Sequence, residues 1–167
     1  MEKELQKRYE YIKELICDRY KTYIDRNGVD FYHHLTSNEK ILEKLINSHT
    51  SKGHEIKCIN FDYINTIKAK IYSLLHSALI DEVLTTDEFN TLFSDDEKIF
   101  MTEYSKLCRI NDTCYLMDTH EISHYMRLVF LADVRFHTDI LIFDNITKND
   151  LKSLFFWHET YKKIMDK

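Results

Sequence analysis

Two segments of this 167-residue chain carry side chains whose types and spacing suit chemistry. The first is His120-Glu121-Ile122-Ser123-His124. Histidines at i and i+4 of a helix share a face about one turn apart, where both imidazoles can ligate a single Zn²⁺. Cys108 and Cys114 lie upstream, so the order reads Cys-x5-Cys-x5-His-x3-His. Two thiolates and two imidazoles satisfy tetrahedral zinc, and Cys108, Cys114, His120 and His124 would then clamp the end of one helix to the start of the next. The two zinc readings compete for the same imidazoles. The second segment holds Asp133 and His137, four apart on the apolar side of a helix expected over 119–141. That spacing suits a buried hydrogen-bonded pair that tethers neighbouring elements. The only glycines are Gly28 and Gly53, which excludes a glycine-rich phosphate loop.

His120-Glu121-x-x-His124 resembles, over five residues, the zinc-binding helix of the zincin metallopeptidases. The resemblance implies that Glu121 activates a metal-bound water. Phe130 stands where a third histidine of the extended motif would fall. Arg26-Asn27-x5-His33 resembles the Arg-x4-6-His signature of the HEPN helical ribonucleases, although Gly28 interrupts it. That resemblance implies a dimer in which Arg26 stabilises phosphate charge and His33 assists proton transfer.

Each of these groups also has a structural reading. Asp118 followed by Glu121 fits a capping box, which gives Glu121 a task at a helix start. Cys108 shares a helical face with Phe100, Met101 and Tyr104, and Cys114 adjoins Tyr115 and Leu116, so both thiols can serve as packing. His33 and His34 read as loop residues leading into a cap at Thr36. Aromatic residues suggest contact surfaces instead of catalysis: Tyr9, Tyr20 and Tyr23 on the first helix, and Phe155, Trp157 and His158 near the chain end, tolerate partial exposure and suit a partner interface.

The elements that must position these groups follow from the apolar spacing. The chain has no proline and its apolar residues recur at three- and four-residue steps, which predicts an all-α fold. Leu5, Tyr9, Ile12, Ile16, Tyr20 and Tyr23 make one stripe of a helix expected to end near Arg26-Asn27-Gly28. Thr36 with Glu39 predicts a second helix over about 37–47, followed by a loop. His54 to Ile59 permits at most a short extended piece. The dense stripe of Ile64, Ile67, Ile71, Leu74, Leu75, Ala78 and Leu79 predicts a central buried helix from Asp62 to Asp81. Thr85 with Glu88 and Ser94 with Glu97 mark two further starts. A helix from Asp118 and a last one after Thr147 complete six or seven helices in one domain, 1–167.

A chain of this length buries roughly 70% of its unfolded surface, enough for a core without staples. Its 23 basic and 28 acidic residues give a net charge of −5, which disfavours general binding to nucleic acid or an anionic membrane. Four dispersed cysteines without a Cys-x-x-Cys pair, no visible signal peptide and no apolar run of ~18 residues lead us to expect a cytoplasmic protein. Abundant lysine, isoleucine, asparagine and tyrosine suggest an AT-rich source such as a low-GC bacterium, phage or large DNA virus. The expected function is that of a small helical interaction or regulatory protein, without a cofactor, that binds another protein or a second copy of itself. The alternatives are a zinc-dependent hydrolase using 120–124 and a HEPN-like ribonuclease.

Overall fold

Asp62 accepts the backbone N–H of Asn65 at 2.8 Å and so caps the helix around which the others gather. In the computed structural model, residues 2–24, 30–52, 62–109 and 123–138 are described, with 152, 154–156 and 158–159. Six helices are delimited among them: α1 (Glu2–Arg19), α2 (Phe31–Lys52), α3 (Tyr63–Leu75), α4 (Thr86–Leu92), α5 (Asp95–Arg109) and α6 (His124–His137). Residues 152, 154–156 and 158–159 are helical too. The only extended pairing among the described residues is one isolated bridge, Ile24 to Asp30. The all-α expectation therefore holds, and none of the described helices is long and apolar enough to cross a membrane.

α3 packs against α1, α2, α5 and α6, and seven of its residues are buried: Ile67, Ala69, Ile71, Tyr72, Ser73, Leu74 and Leu75. Burial on several faces is what its dense apolar stripe predicts. One core cluster joins α3 to Ile12 and Ile16 of α1 and Tyr20 just after it, to Phe100, Met101 and Tyr104 of α5, and to Val129, Phe130 and Val134 of α6. A second lies where α2, α3 and α6 meet, with Leu42 and Ile46 against Ala69, Leu128 and Ala132. The two alanines keep side-chain bulk low where α3 and α6 approach α2.

Several boundaries differ from the sequence reading, each for a tertiary reason. α1 ends at Arg19, short of Arg26-Asn27-Gly28, and Asn27 and Gly28 lie outside the described residues. Tyr20 leaves the helix fully buried, stacks on Phe31 at 4.1 Å and donates its hydroxyl to Asp81 at 2.8 Å. Tyr23 meets both rings edge-on. This packing outweighs the continued helical period of the tyrosines. α2 starts six residues before the expected 37, because Asp30 accepts from Tyr32 N–H at 2.9 Å through its side chain and from His33 and His34 through its carbonyl. Thr36 is therefore inside the helix, where its hydroxyl bonds back to the His33 carbonyl at 3.2 Å. Glu39 turns inward to accept from Tyr9 and from Lys13.

The stretch expected to be helical up to Asp81 ends at Leu75 and continues as turns, with Glu82 at a positive φ of 55°. The starts at Thr85 and Ser94 are found as expected: Thr85 and Glu88 form a reciprocal capping box, and Ser94 N–H donates to Glu97 at 2.8 Å. α6 begins at His124, not Asp118, because Ser123 has extended dihedrals and its hydroxyl accepts from Met126 N–H. The segment His54 to Ile59 lies outside the described residues.

Candidate metal centre

The early start of α2 places His34 and Asn38 on one face, one helical turn apart, directed at α3 and α6. The end of α3 supplies His76 as its C-cap residue. α6 supplies Asp133 and His137, again one turn apart. All of these side chains converge within the bundle, and His34, Asn38, His76 and Asp133 are buried.

The spacing is compatible with a metal-ligand set. His34 Nε2 lies 3.2 Å from Asp133 Oδ1, His76 Nε2 lies 3.6 Å from the same oxygen, and the two nitrogens are 3.3 Å apart. These three donor atoms fall within 4.8 Å of one another, the only such group among the described residues. A tetrahedral zinc ion bound at 2.0–2.1 Å has donors separated by about 3.3–3.4 Å, so the spacing corresponds to three corners of that tetrahedron. His137 Nε2 stands 3.4 Å from Asp133 Oδ1 but is outside the mutual group of three.

A hydrogen bond behind His76 orients its ring. His76 Nδ1–H donates to the Ser73 carbonyl at 2.6 Å, which places the lone pair of that tautomer on Nε2, toward the centre. The Asn38 amide nitrogen lies 3.0 Å from His34 Nε2 and donates to Asp133 Oδ1 at 3.3 Å. Two imidazole nitrogens and a carboxylate oxygen thus face one another at hydrogen-bond distance: without an ion the imidazoles donate N–H to Asp133, and with one their lone pairs and the carboxylate would ligate it. Protons on the imidazoles or a cation must neutralise that convergence, and a divalent ion does so for all three at once. Asn38 Oδ1 is buried and has no hydrogen-bond partner.

Burial alone would push the Asp133 carboxyl up. The facing charge of His137 and the hydrogen bonds from His137, His34 and His76 outweigh it and hold Asp133 well below the ordinary carboxylate range. Tyr104 is pushed well above the ordinary phenol range by burial first and by neighbouring Asp133 next. It remains a protonated donor, 3.4 Å from Asp133 Oδ2, and leaves Oδ1 to the imidazoles. Aromatic rings wall the site: His34 stacks on Phe31 at 4.7 Å and meets the Phe136 edge at 4.4 Å, while His76 meets the Tyr104 edge at 5.5 Å. The centre is not sealed, since the side chains of Asp133 and His137 keep 12% and 11% of their exposure.

The residues singled out from sequence are distributed differently. Cys114, His120, Glu121, Arg26 and Trp157 lie outside the described residues. Cys108 is exposed on the last turn of α5, and His124 opens α6 half-buried. Ser123 caps the helix that His124 opens, and the expected face shared with His120 lies outside the described residues. His33 is exposed within α2, next to the buried His34. The pairing of Asp133 with His137 is found as expected. Tyr9 and Tyr20, expected on a partner surface, are instead core residues whose hydroxyls bind Glu39 and Asp81. Tyr23, Phe155 and His158 are exposed.

No motif in the sequence points to His34 or His76. Their signal is a polar residue in phase with a buried stripe: His34, Asn38 and Leu42 fall at four-residue steps, as do Tyr72 and His76. No known protein family, no curated protein and no solved structure matches this chain.

Proposed function

We propose that this chain is a metal-binding helical protein that holds one divalent first-row transition ion, of the zinc class, through His34, His76 and Asp133. The observation that carries this reading is the mutual spacing of 3.2–3.6 Å among three donors drawn from three different helical segments. Two imidazoles and one carboxylate suit zinc, iron(II) and their neighbours better than magnesium or calcium, which favour all-oxygen sets. The test is metal content and zinc titration on protein purified without a metal-affinity tag and stripped with a chelator. One zinc per chain is expected in the wild type, lost in His34→Ala, His76→Ala and Asp133→Asn and retained in Cys108→Ser and His124→Ala. The opposite pattern would move the metal to the Cys108-to-His124 segment and overturn this assignment.

A second reading, action through binding of another protein or a second copy, is favoured by Phe155 and Phe156, which are 69% and 48% exposed on adjacent helical residues. Light scattering of the wild type and of Phe155→Asp at high concentration tests self-association. An identical monomeric mass for both would remove the homodimer.

A further inference from the structure

We infer that the metal held by His34, His76 and Asp133 keeps an open coordination position that accepts a small exogenous ligand, water or a compact anion, oriented by the Asn38 amide. This inference rests on the metal-centre reading and deepens it. Among the described residues only three donors form the mutual set, and a tetrahedral ion has four corners. Closed structural zinc sites use four protein donors, whereas sites with three protein donors hold a water or substrate at the fourth.

Two independent features mark where that ligand sits. Asn38 is 1% exposed, its amide nitrogen reaches both His34 Nε2 and Asp133 Oδ1, and its Oδ1 has no hydrogen-bond partner. A buried carbonyl oxygen left unmatched costs the desolvation of that group, so a partner that reaches it is favoured. A ligand water supplies an O–H for the carbonyl, and once the ion takes the His34 Nε2 lone pair the amide N–H facing that nitrogen is released to meet an anion. The partial exposure of Asp133 and His137 gives small molecules a way in, while Phe31, Phe136 and Tyr104 pack against the His34 and His76 rings and hold them in place.

The test uses the full-length protein loaded with Co²⁺ in place of zinc, with sodium azide as the probe ligand. Visible absorption reports the Co²⁺ coordination sphere directly and needs no enzymatic assay. Saturable spectral change with azide is expected at one azide per metal, and Asn38→Leu should weaken azide about tenfold or more, in line with the loss of an orienting outer partner. Binding of Co²⁺ at His34, His76 and Asp133 with a spectrum that azide leaves unchanged would overturn the open position while the metal centre stands. Absence of Co²⁺ uptake would overturn the centre and this inference with it. The wild-type azide titration decides the question even if Asn38→Leu does not fold.

Discussion

Replacing Asp133 by asparagine keeps the outline of the side chain and removes its charge, which isolates what the carboxylate contributes. Zinc at about 100 times its Kd stabilises the wild type by about 2.7 kcal/mol. For a domain of this size each kcal/mol moves Tm by about 2–4 °C, so the wild type should melt about 5–11 °C higher with zinc. The variant lacks one of three donors and the only anionic one in the mutual set. If that weakens zinc about 100-fold, the same concentration stands near Kd and yields about 0.4 kcal/mol, or about 1–2 °C. Without metal, the buried carboxylate gives up charge-assisted contacts with the imidazoles and Tyr104. An amide replaces them in part, so the metal-free variant should be less stable by about 2 kcal/mol and melt about 4–8 °C lower. The assay is thermal melting by circular dichroism, with and without zinc, after chelator treatment. A zinc-induced rise of equal size in both proteins, or none in the wild type, would refute the reasoning.

Other outcomes follow from the same structure. The depressed folded pKa of Asp133 gives stability that is complete above the unfolded carboxylate value of about 3.9 and is lost as pH falls through the lower folded value. Metal-free wild type should therefore lose stability more steeply than Asp133→Asn below about pH 4, checked by urea unfolding across that range. Tyr20→Phe removes the hydroxyl bonded to Asp81 at 2.8 Å and should cost about 1 kcal/mol, read as a Tm lower by about 2–4 °C. Leu128→Ala opens the small cluster shared by α2, α3 and α6 and should cost about 2–5 kcal/mol in chemical unfolding.

The helical character of the chain was legible because it repeats at many residues. Apolar steps of three and four, the absence of proline, and the caps at Thr85 and Ser94 each point to the same backbone, so an error at one position does not undo the rest. Boundaries were less legible because packing competes with local period. Tyr20 and Tyr23 continue the stripe of α1, yet ring contacts with Phe31 turn the chain. Thr36 and Glu39 match a capping box, yet Asp30 caps the helix and Glu39 is drawn to Tyr9 and Lys13. That displacement carries His34 from an apparent loop onto a buried helical face.

What the sequence determined by itself is the local part of the molecule: which residues coil, where several helices start, and that Asp133 and His137 stand one turn apart on an apolar face. Those properties depend on neighbours within about four residues, and the chain order records them directly. Only the tertiary structure decided that His34, 99 positions before Asp133, and His76, 57 before it, point at the same carboxylate oxygen. Nothing in the spacing of such distant residues encodes a distance. Their meeting follows from α2 and α6 packing against α3, so the site exists only once the bundle has closed.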